Sequence, residues 1–159
     1  MTWEQLEAAA PELARLGRER LDAIGLAFLG TLRRDGSPRI SPVEPFFADG
    51  QLVFGVMTRS GKARDLARDP RCALQSVVTA PNAGEGELKL YGRAVPAGDD
   101  LRAAVADAWW LARPAADADV YALEVDEAVF VTWDLRAGLM TLRRWSPGRG
   151  PTETTRSYP

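Results

Sequence analysis

A group of residues suited to binding an anion lies in the segment Arg59–Pro70, RSGKARDLARDP. The apolar run Leu52–Val56 before it predicts a strand, and a short helix follows. Ser60 is suited to cap that helix, Gly61 leaves room for a ligand near the backbone, and Lys62 lies in the first turn. Backbone N–H groups at a helix start, together with a nearby lysine, can form a phosphate site. The alternative is that the basic residues of this segment only solvate a surface helix.

The composition excludes several kinds of catalytic site. The 159 residues contain no histidine and a single cysteine, Cys72. A zinc or copper site and a Ser-His-Asp or Cys-His apparatus are therefore not expected. If the protein is an enzyme, a cofactor or the substrate must carry most of the chemistry.

The charge and hydropathy of the chain restrict its partners and location. The formal net charge is -2, so no overall attraction to nucleic acid or to an anionic membrane is expected. No apolar run approaches the length of a membrane span, and the polar N-terminus does not resemble a signal peptide. We therefore expect a cytoplasmic protein with no nucleic-acid or membrane partner.

The elements around the anion site are predominantly strands. Apolar runs and turn residues predict strands over residues 26–32, 39–47, 51–57, 72–79, 88–95, 120–125, 128–135 and 138–147. Asp35-Gly36 and Asp49-Gly50 predict tight hairpin turns, and the prolines at 42 and 45 predict an edge strand, a bulge or the border of a cleft. Antiparallel hairpins in this number predict a barrel with helices at its ends.

Helices are predicted at three places in the chain. Residues 3–22 form an amphipathic helix that Pro11 kinks or splits, and Arg59–Arg68 form the short helix, which ends at Asp69-Pro70. A third helix runs from Asp99 to Ala112 and carries Trp109 and Trp110, whose apolar side chains we expect to pack in the core or against a second copy of the chain. We divide the chain into an N-terminal helical segment (1–23), a barrel domain (24–147) and an extended C-terminal tail (148–159).

The central part of the chain resembles a known family. Residues 28–76 contain, in order, a strand ending in Thr, a D-G turn, a Pro-Arg-x-Ser-Pro strand, a short strand, a Ser-x-Lys helix start and an Asp-Pro helix end. This pattern resembles the pyridoxamine 5'-phosphate oxidase-like family of FMN-binding split β-barrels. The resemblance implies a mainly β (α+β) fold, an antiparallel Greek-key split β-barrel with flanking helices. It also implies a homodimer with two flavin sites in clefts at the dimer interface.

The resemblance also implies which residues bind the cofactor. The residues expected at the flavin phosphate are Arg39, Ser41, Ser60 and Lys62. Those expected along the isoalloxazine ring are Pro42, Val43 and Glu44, with backbone contacts from Val56 and Met57, and with Gln75 and Ser76 from the partner chain or the floor of the cleft.

Two features depart from the family pattern. Gly61 stands where many members carry a basic residue, so that one phosphate contact is missing or is supplied by Arg59 or Arg64. The Arg-x-His substrate motif of the true pyridoxamine phosphate oxidases is absent, which argues against that activity. Many actinobacterial relatives use the deazaflavin coenzyme F-420 in place of FMN, and the excess of arginine over lysine fits the GC-rich genome of such an organism.

The expected function is that of a flavin-dependent oxidoreductase. It would move hydride or electrons between FMN, or the deazaflavin coenzyme, and a small-molecule substrate. The alternatives are a non-catalytic flavin- or haem-binding carrier or sensor, and a cofactor-free dimeric barrel. No catalytic side chain and no metal ligand can be assigned.

Overall fold

The computed structural model describes residues 1–80, 84–106 and 118–157. The helices of these ranges are α1 (Trp3–Ala9), α2 (Pro11–Ile24), α3 (Gly61–Arg68) and α4 (Asp99–Ala104). The strands are β1 (Ala27–Leu32), β2 (Pro38–Val43), β3 (Pro45–Ala48), β4 (Gln51–Met57), β5 (Arg71–Ser76), β6 (Glu87–Pro96), β7 (Ala118–Asp134), β8 (Leu139–Ser146) and β9 (Gly150–Ser157).

The strands form one antiparallel sheet that curls into an open barrel. Its order is β2-β1-β5-β6-β7-β4-β3, and β8 and β9 extend it from β7. Strands β2 and β3 lie at opposite ends of this path, yet only Glu44 separates them in the chain. The two ends of the path must therefore approach each other at Glu44. This confirms the predicted fold class, an antiparallel split β-barrel with flanking helices.

The two Asp-Gly turns are confirmed, but the predicted strand over residues 39–47 is wrong. Strand β1 pairs with β2 across the first turn, and β3 pairs with β4 across the second. Between them the strand breaks at Glu44, because Pro45 lacks the N–H needed to continue a ladder. Pro42 is tolerated because β2 is the end strand of the path.

The two strands predicted over 120–125 and 128–135 are one continuous strand, β7. Asp126 and Glu127, the residues between the two predicted strands, lie at an irregularity, where Tyr91 pairs with Glu127 and Gly92 with Val125. Asp126 is thus the extra residue of a bulge. A Cβ atom on Gly92 would lie 1.9 Å from the Glu124 carbonyl oxygen, so only glycine allows this close approach.

The N-terminal helical region is split at Pro11, one of the two outcomes predicted. Ala10 separates α1 from α2, and Pro11 occupies the first turn of α2, where its missing N–H costs nothing. Trp3, Leu6 and Leu21 are each at most 1% exposed and pack into the main core with residues of the barrel. The N-terminal helices therefore cover one opening of the barrel.

The remaining elements differ in length from the predictions. Helix α4 is described only as far as Ala104, and Trp109 and Trp110 lie outside the described residues. The C-terminal residues form β9, which pairs with β8 over its whole length. No helix in the described ranges is long and apolar enough to cross a membrane. The same residues contain no group of three or more His, Cys, Asp or Glu side chains that could hold a metal ion.

Candidate functional site

The start of α3 presents free backbone donors, as the sequence predicted. Ser60 caps the helix, since its Oγ accepts from the Ala63 N–H at 3.2 Å. The Arg64 N–H donates to the Ser60 carbonyl oxygen, also at 3.2 Å. The N–H groups of Gly61 and Lys62 have no acceptor within the described part of the chain. With the helix dipole, they form a donor pair suited to an anion.

The guanidinium group of Arg39 lies directly over Gly61. A Cβ atom at position 61 would stand 2.8 Å from Cζ and from Nη1 of Arg39. The space over Gly61, where the sequence predicted room for a ligand, is thus occupied by the guanidinium group of Arg39, which brings a cation close to the helix start.

Asp65 holds Arg39 in this position and was not identified from the sequence. Its side chain is buried, and its Oδ2 accepts from Arg39 Nε at 2.6 Å and from Thr31 Oγ1 at 3.0 Å. Burial alone would raise the pKa of Asp65, but the hydrogen bonds from Arg39 and Thr31 outweigh it and lower the pKa below the ordinary value. Asp65 is therefore a carboxylate at neutral pH. It uses only Nε of Arg39, so that Nη1 and Nη2 remain available beside Gly61.

Lys62 connects the helix start to the end of β2. Its Nζ donates to the Pro42 carbonyl oxygen at 2.7 Å. Partial burial lowers the pKa of Lys62, and the nearby Glu44 carboxylate opposes that shift. Burial likewise raises the pKa of Glu44, and Lys62 opposes it. The two side chains therefore stabilise each other's charged forms at the point where the barrel is open.

The other predicted residues of β2 and β4 divide between two faces. Along β2, Arg39, Ser41 and Val43 share the more buried face, while Pro42 is exposed on the other. Val43 and Val56 are only 4% and 3% exposed, so their side chains belong to the core and only their backbones can meet a ligand. Met57, the last residue of β4, is 66% exposed, so its side chain is accessible.

Gln75 and Ser76 point to opposite sides of β5. Gln75 is exposed, and its Nε2 donates to Glu87 Oε2 at 3.4 Å. Ser76 is 1% exposed, and its Oγ accepts from the Leu88 N–H at 2.9 Å. Gln75 therefore lies on the same face of the sheet as Phe28 and Pro42, and the expected contacts of Gln75 and Ser76 with the ring stay predictions.

The donor set at the start of α3 fits a phosphate group. It combines two backbone N–H groups, the terminal nitrogens of Arg39 and the ammonium group of Lys62, and a phosphate offers acceptors to all of them. A phosphate-bearing flavin would be held at this end, with Ser41 on the same face of β2 as Arg39. The only signal for Asp65 in the sequence was its place on the helix three residues after Lys62. That spacing does not distinguish a buried aspartate from a solvated one.

Comparison with known proteins identifies the family. The family model for pyridoxamine 5'-phosphate oxidase matches residues 16–132, well over half of the chain. Comparison with curated proteins found no match for this sequence.

Several solved structures share the fold at low sequence identity. A pyridoxamine 5'-phosphate oxidase-related, FMN-binding protein from Nostoc punctiforme is 15% identical, with a TM-score of 0.60 over 97% of both chains. PhzG from Burkholderia lata, solved with tetrahydrophenazine-1-carboxylic acid, is 18% identical, with a TM-score of 0.63 over 96% of this chain and 89% of that one. A heme-binding protein from Mycobacterium smegmatis is 20% identical, with a TM-score of 0.58 over 90% of this chain and 88% of that one.

These matches agree with the open antiparallel barrel and its flanking helices. The resemblance read from the sequence is thereby confirmed: the chain belongs to the pyridoxamine 5'-phosphate oxidase family and has its split-barrel fold.

Proposed function

We propose that this protein binds a phosphate-bearing flavin at the start of α3 and acts as a flavin-dependent oxidoreductase on a small organic substrate. The observation that carries the proposal is the position of Arg39. Its terminal nitrogens lie beside Gly61, the residue that precedes Lys62 in the chain. The backbone N–H groups of Gly61 and Lys62 have no acceptor among the described residues. A doubly charged phosphate is the group that this set of donors complements best.

The residues of the chain would bind and orient the cofactor rather than react. Arg39, Lys62 and the helix start hold the phosphate, and the open edge at Pro42–Glu44 receives the ring. Met57 offers an exposed apolar side chain near that edge. A bound flavin would supply the hydride and electron transfer. Because the chain has no histidine, the proton would come from water or from the substrate.

FMN and the deazaflavin coenzyme F-420 both satisfy the phosphate requirement. FMN is the first candidate, and the Nostoc punctiforme neighbour described as FMN-binding supports it. A small organic acid is a reasonable substrate class, since PhzG was solved with an aromatic carboxylic acid. Both neighbours are under 25% identical to this chain, so they support the choice of ligands to test and no more.

The test is the absorption spectrum of the purified protein, followed by titration with FMN and with the deazaflavin coenzyme. We expect saturable binding of one of them, and reduction and reoxidation of the bound form by an added donor and acceptor. Failure to bind either cofactor would refute the proposal. Binding without redox turnover would leave a flavin carrier and would refute the oxidoreductase.

A haem-binding role is the second candidate, because the Mycobacterium smegmatis neighbour is described as heme-binding. The absence of histidine removes the usual axial ligand of a haem iron. The same spectrum separates the two, since haem gives a Soret band on titration with hemin and flavin does not. We expect that hemin does not bind saturably at a site from which FMN can displace it.

A further inference from the structure

A basin lined by arginines lies beside the proposed phosphate site. Its volume is about 810 Å³, and the residues that line it come from the β1–β2 hairpin, from β2 and from α3: Arg33, Arg34, Asp35, Arg39, Arg64, Asp65 and Arg68. Only Arg39 belongs to the residues proposed above to hold the flavin. The hairpin tip and the exposed face of α3 form the rest.

The basin is strongly positive although the chain as a whole is not. Five guanidinium groups face two carboxylates, in a protein whose net charge is -2. One carboxylate, Asp65, is already engaged by Arg39 at 2.6 Å, and Arg68 lies 3.6 Å from it. The other, Asp35, accepts hydrogen bonds from the N–H and the hydroxyl of Ser37. Asp35 interacts electrostatically with Arg33, but five arginines against two carboxylates leave the basin with an excess of positive charge.

Much of this donor capacity is unused. The exposed side chains of Arg33 and Arg34 form no hydrogen bond and no ion pair with any residue that the structure describes. Arg64 uses one nitrogen, Nη1, to reach the Arg59 carbonyl oxygen at 3.1 Å. Arg68 donates through Nη2 to the Leu32 carbonyl oxygen. Bringing like charges together costs free energy, and an anion bound among them would recover that cost.

We propose that this basin is a second anion site, adjacent to the site at Lys62 and sharing only Arg39 with it, for a small molecule that carries several negative charges on phosphate or carboxylate groups. Guanidinium groups bind both chemistries through paired N–H donors. The volume is within the range of small-ligand pockets, about 300–1,000 Å³. Lys62 does not line the basin, and its ammonium group is directed to the Pro42 carbonyl oxygen.

The test is calorimetric titration of the full chain at low ionic strength with pyrophosphate, and in a second series with citrate. The double variant Arg33→Gln/Arg34→Gln removes two exposed charges that form no hydrogen bond or ion pair with the described residues, so its thermal unfolding should be close to that of the parent. We expect the parent to bind at least one probe saturably and the double variant to bind it at least tenfold more weakly. If neither probe binds saturably to the parent, the proposal is wrong.

A matched control separates the basin from general charge effects. Arg136→Gln/Arg149→Gln also removes two exposed arginines, and neither residue lines the basin. It should bind the probe as the parent does. An equal loss in this control would show that only net charge matters, and the proposal would be wrong.

Three further measurements distinguish this site from the flavin site. Lys62→Gln should leave probe affinity unchanged, and Arg33→Gln/Arg34→Gln should leave FMN affinity unchanged. Pyrophosphate should still bind when FMN is saturating, whereas its displacement by FMN would show a single shared site. The titrations with pyrophosphate and citrate need no cofactor. A failure of FMN binding would therefore refute the proposed function, whereas the anion site in the basin is tested by the two probes alone.

Discussion

At the scale of single residues, the site depends on the absence of a side chain at Gly61. The guanidinium group of Arg39 occupies the place where a Cβ atom would be, with Nη1 2.8 Å from it. Position 61 itself contributes no charge, and Arg39 brings a cation to the helix start by reaching over from β2.

Gly61→Ala should therefore weaken FMN binding without harming the fold. The new Cβ atom displaces the flexible end of Arg39, which costs the fold little, and alanine favours a helix by up to ~1 kcal/mol. We expect the melting temperature to hold or rise and the FMN dissociation constant to increase about tenfold, the equivalent of ~1.4 kcal/mol. Thermal unfolding and fluorescence titration measure the two effects.

The control for that variant is Gly98→Ala, where no atom lies within 4 Å of the added Cβ. It should bind FMN as the parent does. Unchanged FMN affinity in Gly61→Ala would mean that Arg39 does not contact the phosphate from its position over the helix start.

Lys62→Gln should weaken FMN binding by roughly ten- to a hundred-fold, since a charge-assisted contact is worth ~1.5–3 kcal/mol. Glutamine can still donate to the Pro42 carbonyl oxygen that Lys62 Nζ contacts at 2.7 Å. The fold should then be nearly as stable as the parent. Isothermal titration with FMN, together with urea denaturation, tests both expectations.

The other lysine, Lys89, is a poor control because it forms an ion pair with Glu87. Arg136→Gln removes the same charge from an exposed turn without removing a contact, and should leave FMN affinity unchanged. Loss of binding in Arg136→Gln equal to that in Lys62→Gln would point to net charge rather than to a site at Lys62.

At the scale of elements, Asp65 joins three pieces of structure. It lies on α3, accepts from Thr31 of β1 and binds Arg39 of β2. The helix is thereby fixed against the hairpin that carries the candidate site. A helix of eight residues has little stability of its own, so its position depends on such contacts.

Asp65→Asn should destabilise the protein by about 1–3 kcal/mol at neutral pH, since it removes the negative charge of a largely buried ion pair and leaves Arg39 without its counter-ion. The folded-state pKa of Asp65 lies below the ordinary value of 3.8. Its contribution to stability is therefore complete above that value and is lost as the pH falls through the lower folded-state pKa. Urea denaturation of parent and variant should show a large difference at pH 7 that shrinks toward pH 3.

Asp22→Asn is the control, because the carboxylate of Asp22 is exposed and lies 3.9 Å from Arg18. It should change stability by less than ~1 kcal/mol at either pH. A stability difference between parent and Asp65→Asn that stays the same down to acid pH would show that Asp65 acts through packing and not through its charge.

The sequence predicted those elements whose boundaries are set by local chemistry. The turns at Asp35-Gly36 and Asp49-Gly50, the Ser60 cap and the helix end at Asp69 each depend on neighbouring residues. The continuity of β7 could not be read in this way. It depends on Gly92 of β6, whose missing side chain allows the bulge at Asp126.

The candidate site divides in the same manner. Ser60, Gly61 and Lys62 were found because they are adjacent in a recognisable motif. The Arg39–Asp65 pair and the arginine basin require β2 and the hairpin to fold against α3. Strand β9 was missed because its exposed, polar residues lack the apolar alternation of a half-buried strand.

At the scale of the whole molecule, one face of the sheet exposes an apolar surface. Directly paired residues point to the same side of a sheet. One row runs from Ile40 through Gly30 and Ala73 to Tyr91, and the next runs from Pro42 and Phe28 to the polar residues Gln75 and Lys89. Ile40 is 74% exposed, Tyr91 44% and Phe28 42%. Large contiguous patches of this kind usually mark an interface.

We therefore expect a homodimer that covers this face. The prediction drawn from the sequence placed part of the interface at Trp109 and Trp110, which lie outside the described residues. The sheet face gives an independent reason for the same state. It borders β2, so a second copy would lie close to the proposed flavin site, as the family resemblance implies.

Ile40→Glu should separate the dimer into monomers. Ile40 is so exposed in the single chain that a glutamate there leaves the fold intact, whereas two buried carboxylates facing a twofold axis cost several kcal/mol. Sedimentation equilibrium at micromolar concentration should give twice the 17.3 kDa chain mass for the parent and the chain mass itself for the variant. Leu135→Glu, at a position 45% exposed just beyond the end of β7, is the matched control and should remain dimeric. A monomeric parent would show that the expected homodimer does not form, and a dimeric Ile40→Glu would place the interface on another face.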